Sequence, residues 1–346
     1  VINLVIGTYR FVLAIIIAIG HLDLESRWDR FAFYSFETIL NLNHVLNLFF
    51  FISGFTIALT FNKNYQIDNF LLKSSDFLIN RVIKLYPLYL LSLIIMFIDS
   101  FYLNIIYLSN DNPFLRENIF KNLLVIFHEK GSFINSVAWS LDFQLRWYML
   151  IPIIFFIKNI WNKRIKSRKF IIFLITIYFL IEIVFLYYGK HVLLIDGFRY
   201  NFILGESLFY FIPGYLLYEI FTKFEQNGSK KHYLIALLIL FIALISPDTP
   251  LYIYFIIAAY FCFNINYSNN VDKILGNISY PVFILHLPLM LPIYLQINKY
   301  IELTSLGEIT SYYAVYILTI LILIVISYLM LIIVQYPIDR YRSKKN

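Results

Sequence analysis

The sequence predicts an all-α polytopic membrane protein with about ten transmembrane helices and both termini cytoplasmic, and three observations carry that reading. Hydrophobic residues make up 60% of the 346 positions and charged residues only 14%, against about 25% charged in an ordinary soluble domain. The apolar residues gather into runs close to the length that crosses a bilayer core of about 30 Å as a helix. The basic residues lie mostly between those runs. So few polar residues cannot clothe a water-soluble enzyme, and so many apolar ones exclude a disordered chain. Cys262 is the single cysteine, which rules out a disulfide scaffold.

The expected spans follow in order. The first covers 3–21, where apolar character begins almost at once and no small-residue cleavage site follows, so it reads as a retained helix rather than a cleaved leader. The second, 44–61, ends before Lys63, and the third, 83–107, begins after Arg81. The fourth, 134–157, stops at Lys158; the fifth, 170–188, starts after Lys169; the sixth, 201–221, ends before Lys223. The seventh and eighth, 232–246 and 251–266, are short and joined by Pro247-Asp248-Thr249-Pro250, a tight hairpin or one broken re-entrant element. The ninth and tenth are 279–297 and 311–335. Long apolar runs rather than alternating ten-residue strands exclude an outer-membrane barrel.

With ten spans both ends fall on one side. Sorting the connecting segments puts 18 of the 28 Lys and Arg on that side and 8 on the other, and leaves Arg10 and Arg146 in or near spans. Cation-rich loops stay in the cytoplasm, which places both termini there. The same topology accounts for the net charge of +7 without a nucleic-acid partner. No repeat of fixed period and no appended soluble domain interrupts the pattern, so residues 1–346 read as one transmembrane domain. The wealth of Ile, Asn, Lys, Phe and Tyr resembles the output of an AT-rich bacterial genome, which suggests a bacterial cell membrane.

A charge at a helix centre costs about 2.5–3.5 kcal/mol on insertion scales, so Arg10 needs a reason. His21 follows eleven residues later. Eleven steps of about 100° bring both side chains onto one face, with a rise of roughly 16 Å between them. From spacing alone this is either a functional stripe or a snorkelling Arg with an interfacial His. The second span contains Phe51-Ile52-Ser53-Gly54-Phe55, and a Ser-Gly pair in an apolar helix is usually a notch for a neighbouring helix. Arg81-Val82-Ile83-Lys84-Leu85-Tyr86-Pro87 leads into the third span, Trp139-Ser140-Leu141 precedes Tyr148 in the fourth, and Ser279-Tyr280-Pro281 leads to His286 in the ninth.

Taken in this order across ten spans, these segments resemble the acyltransferase family 3 membrane proteins. That family carries Arg, ten residues, then His in its first span, an aromatic-Ser-Gly-Phe run in the second, and Arg-x-x-Arg-x-x-Pro at the start of the third. A Trp-Ser-Leu-x-x-Glu run follows in the fourth and a Ser-Tyr-x-x-Tyr-Leu-x-His run near the end. Two positions depart from the pattern. Lys84 stands where the second Arg is usual, keeping the charge but not the planar two-pronged donor. Gln144 stands in place of Glu, and Asp142, about 200° away around the helix, does not replace it.

The resemblance implies transfer of an acyl group, usually acetyl, from cytoplasmic acyl-CoA to a hydroxyl of a cell-surface or lipid-linked polysaccharide. An alcohol needs a base at neutral pH, a task suited to His21; His21 could instead carry the acyl group transiently. Arg10 would hold a CoA phosphate or stabilise the oxyanion. Arg81 and Lys84 would anchor the phosphates of CoA or serve only as positive-inside residues. Trp139, Ser140, Asp142, Gln144, Tyr280 and His286 are the candidate substrate-binding or supporting residues, with His286 also readable as a packing residue. Acetyl-CoA or another acyl-CoA is the donor, with no metal, since no zinc-type cluster is visible. A glycan and membrane lipids are the partners, together with a separate extracytoplasmic transferase if the acyl group is passed on. The rival reading is a lipid or saccharide transporter or flippase with Arg10 and His21 along its pathway.

Overall fold

The computed structural model describes residues 6–26, 42–64, 70–102, 120, 122–125, 134–164, 270–301 and 308–345, with 211, 212, 214–216, 218 and 219. The long elements are α1 (Ile6–Ser26), α2 (Leu42–Asn64), α3 (Phe70–Tyr102), α4 (Ala138–Arg164), α5 (Asn270–Ile301) and α6 (Glu308–Met330). A π-helical turn, Leu331–Gln335, carries α6 into α7 (Tyr336–Lys345). Helix α5 is the hub: it packs most extensively on α1, then on α6 and α3, while α2 lies against α1 and α4.

The expectation of about ten transmembrane helices with both termini cytoplasmic is overturned. Among the described residues four helical stretches are long and apolar enough to cross a membrane: Phe70–Asp99, Ala138–Lys158, Asn270–Ile301 and Tyr313–Tyr341. They make this a membrane-associated protein. The apolar parts of α1 and α2, Gly7–Leu22 and Leu48–Phe61, are shorter, between 10 and 17 residues. The physical reason is plain in α2, where Phe49, Phe50, Phe51, Ile52, Phe55, Ile57, Ala58 and Phe61 are all buried. Such a helix is apolar on most sides because protein surrounds it, and hydropathy alone does not separate it from a span. The expected fifth, seventh and eighth spans, and most of the sixth, lie outside the described residues. Without the count of ten, the parity argument for the termini falls as well.

Helix boundaries also move. Helix α3 begins at Phe70, well before the expected 83, because Asn80, Arg81 and Lys84 sit on a continuous helix rather than in a loop. Three prolines, Pro281, Pro288 and Pro292, lie inside α5. Each removes a main-chain donor, so a carbonyl one turn earlier loses its intrahelical partner. For Pro288 that carbonyl belongs to Ile284, and Asn135 supplies the replacement through Nδ2 at 3.0 Å. Neighbouring side chains that restore such bonds are what let an apolar helix keep its prolines.

The pairing of α1 with α5 is set by small residues and one carboxylate. A Cβ on Gly276 would stand 2.8 Å from Cα of Gly7, and one on Gly7 would collide with the Asp272 carbonyl. The first amide groups of a helix have no intrahelical acceptor. Buried Asp272 takes them: Thr8 donates its N–H to Oδ1 at 2.7 Å and its hydroxyl to the same oxygen at 2.8 Å. A carboxylate there also suits the positive end of the helix dipole. The Ser53-Gly54 notch is occupied in the same manner, since a Cβ on Gly54 would collide with the carbonyl of Phe211.

Candidate active site

Helices α1, α2, α3, α4 and α5 line a cavity of about 180 Å³. Its cations come from three positions: Arg10 on α1, and Arg81 and Lys84 on α3. Ser53, Thr56 and Thr60 line it from α2, Gln144 and Tyr148 from α4, and Asn277, Tyr280 and Phe283 from α5. Among the described residues that line it there is no carboxylate.

Each wall follows from its helix. Ser53, Thr56 and Thr60 recur at three- and four-residue steps, so they form one stripe. Their hydroxyls bond carbonyls one turn back, those of Phe49, Ile52 and Thr56, at 2.8, 3.0 and 2.7 Å. That satisfies the hydroxyl hydrogens while the oxygens keep a lone pair. Arg81 and Lys84, three apart, share a face of α3. The Arg81 guanidinium lies 5.0 Å from the ring centre of Phe77 and 5.4 Å from that of Tyr148, distances that suit cation–π attraction. Tyr280 donates its hydroxyl to the Leu85 carbonyl at 2.6 Å, pinning α5 to α3 beside the cations. The π-helical turn brings Gln335 within 3.5 Å of the Lys84 carbonyl.

Arg10 lies over Phe49 at 5.4 Å, and its buried Nε has no hydrogen-bond partner. Phe49 stacks on Phe283, centroids 5.1 Å apart. Phe283 is followed by His286 at 6.1 Å, and His286 by His21 at 5.0 Å. His21 therefore stands beyond the Phe49–Phe283 pair from Arg10 and is not among the residues lining the cavity. The Nδ1 of His21 meets the Ile17 carbonyl at 2.9 Å and that of His286 meets the Phe283 carbonyl at 2.7 Å.

Of the residues singled out in the sequence, Arg10, Arg81, Lys84, Gln144 and Tyr280 come together around the cavity, and His21 and His286 pair next to it. Trp139, Ser140 and Asp142 do not line it. Trp139 packs edge-on against Phe50 and Phe143, and Ser140 donates to the Val137 carbonyl at 2.8 Å. Asp142 is held by Arg146, four residues on, through two hydrogen bonds, the Nε one at 2.8 Å, with both side chains buried. Arg146, unexplained by loop charge, is thus half of a buried ion pair. Thr60 and Asn277 escaped the sequence reading; the polar stripe from Ser53 to Thr60 on an otherwise apolar helix was the available signal for the first. Among the described residues, no three of His, Cys, Asp and Glu converge as a metal site.

Neither the curated proteins nor the solved structures give a match to the chain. The sequence profile of the acyltransferase 3 family, described as an acyltransferase domain, matches residues 6–328. With nearly all of its length inside that match, the chain belongs to the acyltransferase 3 family, membrane-bound enzymes that transfer acyl groups.

Proposed function

We propose that this acyltransferase takes its acyl group, acetyl in the simplest case, from acyl-CoA and delivers it to a hydroxyl of a cell-surface or lipid-linked polysaccharide in a bacterial membrane. The observation that carries the reading is the cavity with Arg10, Arg81 and Lys84 together in its walls. Three cations gathered in the wall of one cavity, in a low-dielectric setting, favour an anionic guest. CoA is such a guest, with phosphates at one end and a thioester at the far end of a long flexible arm. Arg10 offers a guanidinium whose Nε is buried and unpartnered, ready for a phosphate oxygen or a developing oxyanion.

In this reading His21 is the general base. Its Nδ1 donates to the Ile17 carbonyl, so the neutral ring presents Nε2 as the basic nitrogen. The acceptor hydroxyl gives its proton to Nε2 as its oxygen attacks the thioester carbon. Collapse of the tetrahedral intermediate breaks the C–S bond, and the departing CoA thiolate takes the proton. Arg10 and His21 are eleven residues apart, about 16 Å along one helix, which suits a donor held by its phosphates at one end and reacting at the other.

The test uses the purified protein in lipid nanodiscs with radiolabelled acetyl-CoA and a panel of bacterial polysaccharides and lipid-linked saccharides. The wild type transfers label to a saccharide. Arg10→Ala weakens acetyl-CoA binding at least about tenfold, the value of one charge-assisted bond. His21→Ala binds the donor but stops transfer. A wild type that neither binds nor consumes acetyl-CoA overturns the proposal, as does His21→Ala transferring at the wild-type rate.

A further inference from the structure

The Arg81 guanidinium stands in a corner made by two aromatic rings. Phe77, one turn earlier on α3, has its ring centre 5.0 Å from the guanidinium carbon, and Tyr148 on α4 has its own at 5.4 Å. The two rings are 6.0 Å apart and inclined at 81°, so they meet the cation from two directions rather than one. The i, i+4 step explains the first contact, because long side chains on a helix lie back over the preceding turn. Phe77 is buried and is not among the residues lining the cavity. Phe61 of α2 holds it edge-on, centroids 5.1 Å apart at 89°, and Phe61 lies against Phe155 of α4 at 4.8 Å. Tyr148 is buried as well. Three helices thus build the corner from which Arg81 lines the cavity.

We infer that Phe77 and Tyr148 are positioning residues for the acyl donor, their rings holding the Arg81 guanidinium in place for a phosphate of acyl-CoA. The inference rests on the reading above that the cations of the cavity receive those phosphates. An arginine side chain that swings freely gives up rotamer freedom when it clamps an anion, and one already stacked has less to give up. A ring face holds the cation through its quadrupole and leaves the charge in force. A carboxylate in the same place would hold it too, but would compete with the incoming phosphate for its N–H groups. The planar guanidinium suits this arrangement, since it can lie against a ring and still offer N–H groups at its edge. Phe77, outside the cavity wall, acts on the donor only through Arg81.

The test is equilibrium binding of radiolabelled acetyl-CoA to the full chain in lipid nanodiscs. Phe77→Met fills much of the same space without a ring face and is expected to raise Kd about fivefold. Replacing Phe77 by 3,4,5-trifluorophenylalanine keeps a ring of nearly the same shape while draining its negative face, and is expected to raise Kd about threefold. This second variant decides the matter if the methionine one does not fold. Both changes are repeated in an Arg81→Ala background, where neither is expected to shift Kd further, because the group they hold is gone. A merely structural role for Phe77 would weaken binding equally with and without Arg81, and that result overturns the inference. So does a trifluorinated protein that binds acetyl-CoA as the wild type does. If Arg81→Ala weakens binding and the fluorinated ring does not, the aromatic corner fails alone. If Arg81→Ala itself binds like wild type, the phosphate anchor has failed first and the corner falls with it.

Discussion

Asn135 and Ile284 are joined by a hydrogen bond that α5 cannot make for itself: the Asn135 side chain donates at 3.0 Å to the Ile284 carbonyl, which Pro288 leaves without a partner. The same amide nitrogen donates to Ser92 at 2.9 Å, and the side-chain oxygen accepts from the Val137 N–H at 3.2 Å. One buried residue thus braces α3, the start of α4 and α5, immediately behind the cavity wall formed by Ile284.

Asn135→Ala should lower stability by about 1–3 kcal/mol for each buried group it strands, read as a fall in the thermal midpoint followed by size-exclusion chromatography. Pro288→Ala restores the missing N–H, so the double variant should lose less than the two single effects combined. Additive losses would show that Ile284 is satisfied in another way.

Gly7→Ala should be among the most damaging small substitutions. The added methyl group collides with main chain at Asp272, and relaxing it would pull the Thr8 N–H and hydroxyl from the Asp272 carboxylate. Overpacking alone costs about 1–3 kcal/mol, and a lost helix cap adds about 0.5–2 kcal/mol. The measurement is the yield of monodisperse protein after extraction; wild-type yield would refute the close approach.

Breaking the Asp142–Arg146 pair should cost about 3–5 kcal/mol when one partner is removed, since the other is left as a buried charge. Arg146→Met alone should therefore destabilise more than Arg146→Met combined with Asp142→Leu. The comparison is a double-mutant cycle on thermal midpoints.

Gln144→Glu tests the sign of the cavity. It adds a negative charge to a wall shared with Arg10, Arg81 and Lys84. Acetyl-CoA binding should weaken about five- to tenfold, the scale of one unfavourable charge contact, and should lose part of its salt dependence. Unchanged affinity would place the phosphates elsewhere.

Much of this arrangement was legible in the residues. The eleven-residue step from Arg10 to His21, the Gly54 notch and the three-residue step from Arg81 to Lys84 all follow from helical geometry. What hydropathy could not separate was a helix wrapped in protein from a helix wrapped in lipid. The Phe-rich run of α2 is apolar for the first reason, and the run from Tyr313 onward, mostly exposed along Ile317, Leu321, Val325 and Ile333, for the second. Nor did local pattern reveal partners distant in sequence. Asp272 reaches Thr8 across 264 positions and Asn135 reaches Ile284 across 149, and neither pairing leaves a local trace. Asp142 and Arg146, by contrast, stand at the i, i+4 spacing of a helical ion pair, a signal that was present in the sequence.

The closure of the cavity by Gly276, Asn277, Tyr280 and Phe283 has a consequence for biosynthesis. A ribosome adds about 5–20 residues per second, so a nascent chain that has already delivered Arg10 and the Ser53–Thr60 stripe waits many seconds for the helix that completes their surroundings. Through that interval α1 lacks both its Asp272 cap and its glycine-matched neighbour. Insertion of α5 supplies the wall that the earlier helices lack until then.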